Sequence, residues 1–155
     1  MSVGKYCVRS VCSVPPEETA RAAAQRMQAD GVGCVVVTDQ GRPVGMLTDR
    51  DIALGVLRED LDAEKLPVRD LMQSPVVALA EDASLAEAVK TLRRAAVRRL
   101  VVVDRERRVV GLLAADDLLR LMATELGDLA EALRVQLSRE AKATPLGAAE
   151  VPGHA

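Results

Sequence analysis

The sequence predicts an α/β fold made of two β-α-β-β-α units, followed by a C-terminal amphipathic helix. Three observations carry this. Residues 3–56 and 68–121 are one unit written twice: Ser10 stands against Pro75, Val11 against Val76, Met27 against Leu92, Val32 against Val97 and Asp39 against Asp104, at a constant offset of 65. The register then slips by one residue, and Gly45-Met46-Leu47-Thr48-Asp49-Arg50-Asp51 falls opposite Gly111-Leu112-Leu113-Ala114-Ala115-Asp116-Asp117. Within each copy, Val-rich runs alternate with segments of helical periodicity in the same order.

Each copy opens with a short extended segment, residues 11–14 or 76–79. A polar helix-start cluster follows, Pro15-Pro16-Glu17-Glu18-Thr19 or Glu81-Asp82-Ala83-Ser84. Apolar residues then recur at three and four: Ala20, Ala23, Ala24 and Met27 in one copy, Leu85, Ala88, Val89 and Leu92 in the other. This predicts helices over residues 20–29 and 85–95. Val35-Val36-Val37-Thr38 and Leu100-Val101-Val102-Val103 are too short and too β-branched for helices and read as buried strands. Polar turns follow, Asp39-Gln40-Gly41-Arg42-Pro43 and Asp104-Arg105-Glu106-Arg107-Arg108, the second carrying the extra residue. A further strand, residues 44–47 or 109–113, leads into a last helix.

These boundaries divide the chain into a first repeat at 3–57, a charged linker at 58–67, a second repeat at 68–122, a helical extension at 123–142 and a disordered tail at 143–155. Gly127 is expected to interrupt the helix, with Asp128 and Glu131 at capping-box spacing after it. Leu126, Leu129, Leu133 and Leu137 form an apolar stripe, and Arg134, Arg139 and Lys142 suit the negative end of a helix dipole.

The chain has 155 residues, enough to bury roughly 70% of its unfolded surface, whereas one copy alone would be marginal. The copies are therefore expected to share a core. With one Tyr and no Trp or Phe, that core must be built from Val, Leu, Ala and Met. A net charge of −2 gives no general attraction to nucleic acid or anionic lipid. No apolar run approaches the ~18 residues of a membrane span. Cys7, Cys12 and Cys34 have neither disulfide-framework density nor metal-ligand spacing, so a reduced cytoplasmic setting with small buried thiols is expected. The single His, His154, lies in the tail. No Ser-His or Cys-His pair is available to the folded part, and the chain reads as a non-enzyme without a metal.

Thr48-Asp49-Arg50-Asp51 is the sharpest local signal. A strand ends at a hydroxyl residue and a helix begins, leaving free N–H groups and a positive dipole end that suit a phosphate. Thr48 offers a hydroxyl, and Asp51 can accept hydrogen bonds from vicinal sugar hydroxyls. The same residues also read as a capping box with Asp in place of Glu. The second copy has Ala114 where Thr48 stands, so the fold itself does not demand that hydroxyl.

Two β-α-β-β-α units, each with Gly-x-x-(Thr/Ser)-x-x-Asp or its remnant entering the last helix, resemble a tandem pair of cystathionine-β-synthase (CBS) domains, or Bateman module. Asp70-Leu71-Met72 followed by Ser74-Pro75-Val76-Val77 is similar to the family's repeat opening. Arg98-Arg99-Leu100-Val101-Val102-Val103-Asp104 is similar to its second-strand segment, and Leu47-Thr48-Asp49-Arg50-Asp51-Ile52 to a common family string. Lys5-Tyr6-Cys7 departs from the usual opening. The resemblance implies a pseudo-twofold axis and two clefts that hold adenosine-containing ligands (AMP, ADP, ATP, S-adenosylmethionine or NAD-type molecules), with the base between aliphatic side chains.

Carried onto these positions, Thr48 and Asp51 would hold the sugar in one cleft, and Arg98 and Arg99 from the other copy its phosphates. The other cleft keeps Asp117 but has Ala114 for the hydroxyl and the uncharged Gly33 and Cys34 in place of the arginines. The resemblance thus implies a stand-alone regulatory module with one competent adenine-nucleotide site, AMP, ADP or ATP being favoured over S-adenosylmethionine. No cofactor is required. A homodimer and an unidentified client protein are expected, with no nucleic-acid or membrane partner. The alternative is a ligand-free dimerisation scaffold using the leucine stripe.

Overall fold

A computed structural model describes residues 2–143, apart from the side chains of Glu59 and of residues 141–143. The chain divides into two compact units, Met1–Leu118 and Leu119–Ala155. The first repeat comprises β1 (Ser13–Val14), α1 (Ala20–Asp30), β2 (Cys34–Asp39), β3 (Arg42–Thr48) and α2 (Asp49–Glu59). The second comprises β4 (Ala78–Ala80), α3 (Leu85–Ala95), β5 (Arg99–Val103), β6 (Val109–Ala114) and α4 (Ala115–Ala143). Each repeat holds a three-stranded sheet, ordered β1-β2-β3 or β4-β5-β6, in which the first pair is parallel and the second antiparallel.

The polar clusters seen in the sequence start the helices as expected. Thr19 Oγ1 accepts from the Ala22 amide at 3.1 Å, and Ser84 and Glu87 form a reciprocal capping box. The helices end at equivalent left-handed residues, Gly31 (φ 64°) and Ala96 (φ 53°). The first turn is tighter than the polar cluster implied. Only Gln40 and Gly41 lie outside the ladder, both at positive φ, so the strand takes in Arg42 and Pro43.

Central strands β2 and β5 are buried on both faces. Val35 and Val37 face the core beneath α1, and Leu100 and Val102 face the core beneath α3. Val36, Val101 and Val103 form a third core with Val11, Met46, Val76 and Leu112, which seals one sheet against the other. Fully burying each such valine is worth about 1.5–3 kcal/mol.

The repeats exchange their opening segments. Val3 belongs to the core of the second repeat and Val68 to that of the first. The hydrogen bonds are reciprocal: the Val3 amide donates to Ala83 O and the Gly4 amide to Glu81 O, while the Val68 amide donates to Glu18 O and the Arg69 amide to Pro16 O. Further along, Val8 bridges to Leu112 and Gln73 to Met46. Lys5-Tyr6-Cys7, despite its unusual sequence, leaves the same kind of 3-10 turn as Asp70-Leu71-Met72.

This exchange explains the glycine common to both copies. A Cβ on Gly45 would collide with Met72 Sδ, and one on Gly111 with Cys7 Sγ. Cys12 and Cys34 are buried and Cys7 half-buried, all three as free thiols.

In the second unit α4 does not break at Gly127; it runs unbroken to Ala143. A single glycine costs a helix about 1 kcal/mol relative to alanine and cannot by itself end one. Asp128 and Glu131 therefore do not start a new helix, and Glu131 instead pairs with Arg134 at 2.8 Å. Leu126, Leu129, Leu133 and Leu137 are all exposed. The expected disordered tail lies outside the described residues except for Ala143, which is helical.

Two substitutions test this packing. Gly111→Ala should lower unfolding free energy by about 1–3 kcal/mol in a urea titration, because the short Cys7 side chain has little room to swing aside. Adding Cys7→Ala should recover part of the loss. Ala96→Gly should stabilise the protein by roughly 0.5–1 kcal/mol, since an alanine pays about 1–2 kcal/mol in the left-handed region and glycine loses about 0.5–1 in chain entropy. A raised melting temperature reports it.

Candidate functional site

A cleft is bounded by the end of β3, the first turn of α2 and the residues leading into β5. It has a volume of about 620 Å3. Thr48, Asp51, Arg98 and Arg99 all line it. Met46, Pro75, Val76, Val77 and Val97 supply an aliphatic wall.

Local geometry fixes each group. The Asp49 amide, at the first position of α2, donates to Gly33 O at 3.1 Å, tying the helix start to the entrance of β2. Thr48 and Asp51 form a capping box: the Asp51 amide donates to Thr48 Oγ1 at 3.1 Å, and the Thr48 amide donates to Asp51 Oδ2 at 2.9 Å. The Thr48 hydroxyl donates to the same Oδ2 at 2.7 Å. The capping reading of this string is thus realised, within a cleft.

A residue not singled out in the sequence completes the arrangement. Gln73 Nε2 donates to Asp51 Oδ1 at 3.0 Å. Gln73 closes the exchanged opening segment of the second repeat, and its counterpart at offset 65 is Val8. That difference between the copies was visible, but the exchange that carries Gln73 to Asp51 was not. A carboxylate has about four acceptor positions. Three on Asp51 are filled by the protein, leaving one on Oδ1.

Arg98 precedes β5, and its carbonyl accepts from the Ala115 amide at 2.9 Å, the counterpart of the Gly33–Asp49 bond. Among the described residues neither Arg98 nor Arg99 forms an ion pair. Both guanidiniums therefore border the cleft without a carboxylate partner.

Asp117 is not in this cleft. It lines a second and smaller one of about 230 Å3, together with Ala114, Gly33, Cys34, Val8 and Leu112. The family resemblance implies a second cleft without a cation, but Arg99 lines it as well. Arg99 stands opposite Ala114 in the β5–β6 ladder, so it lies beside the second helix start while bordering the first cleft. Among the described residues no group of His, Cys, Asp or Glu is placed to hold a metal ion, and no helix is long and apolar enough to cross a membrane.

The CBS domain family profile matches residues 3–58 and 68–124. The chain belongs to the CBS domain family. As a tandem CBS pair, it is 36% identical to the CBS domain-containing protein YhcV of Bacillus subtilis over 117 residues, covering 76% of this chain and 82% of that one. It is 34% identical to an uncharacterized protein of Methanopyrus kandleri over 122 residues, 78% of this chain but 62% of the archaeal protein, so the CBS pair spans under two thirds of that relative. Among solved structures it is similar to the CBS domain protein PAE2072 of Pyrobaculum aerophilum complexed with AMP. The TM-score is 0.70 and the identity 28%, over 83% of this chain and 99% of that one.

The buried thiols give this region a pH dependence. Burial, helped by the Asp30 carboxylate, pushes the Cys12 thiol from 9.0 up to about 11. Burial also raises Cys34, with Asp49 adding to the shift and Arg99 opposing it. A thiol raised in the folded state contributes its full stabilisation below its unfolded value and loses it as pH climbs through the folded one. Melting temperature should therefore fall as pH rises from 9 to about 11, and Cys12→Ala should flatten part of that fall. A native-state thiol titration at pH 8 should find Cys12 and Cys34 slow to react.

Proposed function

We propose that this CBS pair is a regulatory module that binds an adenine nucleotide in the 620 Å3 cleft, with AMP, ADP or ATP favoured over S-adenosylmethionine. One observation carries the reading: Thr48, Asp51, Arg98 and Arg99 line one cleft with an aliphatic wall, and among the described residues the two arginines have no carboxylate partner. The AMP held by PAE2072 supports the choice of ligand class.

The ribose is assigned to Asp51. One sugar hydroxyl takes the remaining acceptor position on Oδ1, and a second requires the Gln73 amide to move aside. The phosphate is assigned to Arg98 and Arg99, where charge-assisted bonds are worth about 1.5–3 kcal/mol each. The base lies against Met46, Val76 and Val97. The module reports occupancy through a change of shape, to the extent that the ligand binds one shape better than the other. Catalysis is no part of this reading.

A second reading, a ligand-free scaffold, is favoured by the same hydrogen bonds. Asp51 is largely satisfied by Thr48 and Gln73, so the cleft is a stable arrangement without a ligand.

Calorimetry with AMP and adenosine separates the readings. AMP at about 100 times its dissociation constant should stabilise the fold by about 2.7 kcal/mol. Arg98→Ala with Arg99→Ala should weaken AMP by roughly tenfold or more and leave adenosine nearly unchanged. Asp51→Asn should weaken both. No binding of either compound to the wild-type chain would favour the scaffold.

A further inference from the structure

We propose that Gln73 sets the sugar specificity of the first cleft: its side-chain amide holds the place of one ribose hydroxyl on Asp51, and both hydroxyls bind there only when it is displaced. The inference rests on the assignment of the ribose to Asp51. Of the two ends of the Gln73 amide, only the nitrogen can donate to a carboxylate. That nitrogen, Nε2, lies 3.0 Å from Asp51 Oδ1. The amide and hydroxyl of Thr48 both donate to Oδ2 and belong to the capping box. Of these three donors, only the Gln73 amide can leave without opening the start of α2. Gln73 is exposed, so water can take over its hydrogen bonds.

Only the side chain of Gln73 can yield. Its backbone N–H and C=O are bound to Met46 at 2.8 and 3.0 Å, Met72 is seated on Gly45, and Ser74 Oγ donates to Val44 O at 3.0 Å. The equivalent bridge in the second repeat, Val8 with Leu112, has the same pair of backbone bonds at 2.9 and 3.0 Å but an apolar side chain. The frame therefore requires no amide at this position. With Gln73 in place, Asp51 has one acceptor left and serves a single hydroxyl. A nucleotide with both hydroxyls gains its second bond by breaking the one from Gln73, an exchange close to even. A deoxynucleotide needs only the free acceptor and loses little.

Calorimetry with AMP, 2′-deoxy-AMP and 3′-deoxy-AMP tests this. The wild-type chain should bind all three within about threefold of one another. Gln73→Ala should tighten AMP by roughly two- to tenfold and leave both deoxynucleotides nearly unchanged. Gln73→Val, which copies the residue at the equivalent bridge, should do the same. A merely structural role for Gln73 would move all three ligands alike. AMP binding that is unchanged or weakened in both variants, or deoxynucleotides that tighten as much as AMP, would overturn the inference. Where AMP still responds to Arg98→Ala with Arg99→Ala, that failure leaves the nucleotide reading standing. No binding of AMP to the wild type or to Gln73→Ala would overturn both.

Discussion

The reciprocal seating of two opening segments is the constraint on which the rest of the first unit depends. Cys7 rests on Gly111 and Met72 on Gly45, and neither contact leaves room for a Cβ. Backbone bonds continue the exchange on both sides, from Val3 and Gly4 into one repeat and from Val68 and Arg69 into the other. The ion pairs spanning the same seams, Arg9 with Glu81 and Arg69 with Glu17, are exposed and add at most about 1 kcal/mol each. Specificity at the seams thus comes from shape and backbone pairing more than from charge. Neither repeat owns a complete core: Val3 and Val68 each fill the other's.

The same exchange builds the cleft. Pro75, Val76 and Val77 arrive with the second repeat's opening segment, and Gln73 arrives just ahead of them to meet Asp51. The cleft wall is therefore a by-product of how the repeats interlock. Its chemistry differs between the two sides because of a few substitutions laid over a shared frame: Thr48 against Ala114, Gln73 against Val8 and Arg98 against Gly33. Arg99 belongs to neither side alone, since its place opposite Ala114 puts it on both.

Much of this was legible in the sequence because it repeats. The helices at 85–95 and from Ala20 and the Val-rich strands follow from periodicity and from setting one copy against the other, whereas the meeting of Thr48 and Asp51 with Arg98 and Arg99 in one cleft is what the family resemblance implies. What escaped was of two kinds. Gln73 and the double placement of Arg99 depend on contacts between distant segments, which periodicity within a segment does not encode. Gly127 does not end α4, because a local propensity of about 1 kcal/mol is outweighed by a long, otherwise favourable helix. The turn is confined to Gln40 and Gly41: Arg42 and Pro43 are turn residues by composition, but their backbone stays in the ladder.

Thr48 and Asp51 hold each other at the start of α2 and also face the cleft. A single pair of side chains thus stands at the junction of two requirements that selection and genetics ordinarily tell apart. Alleles at either position would reach the cell as an unsteady helix as well as an altered cleft. Loss of the protein and loss of its signal would then be hard to separate by phenotype alone. The arginines across the cleft, whose side chains take no part in the Thr48–Asp51 capping box, are where the two effects come apart.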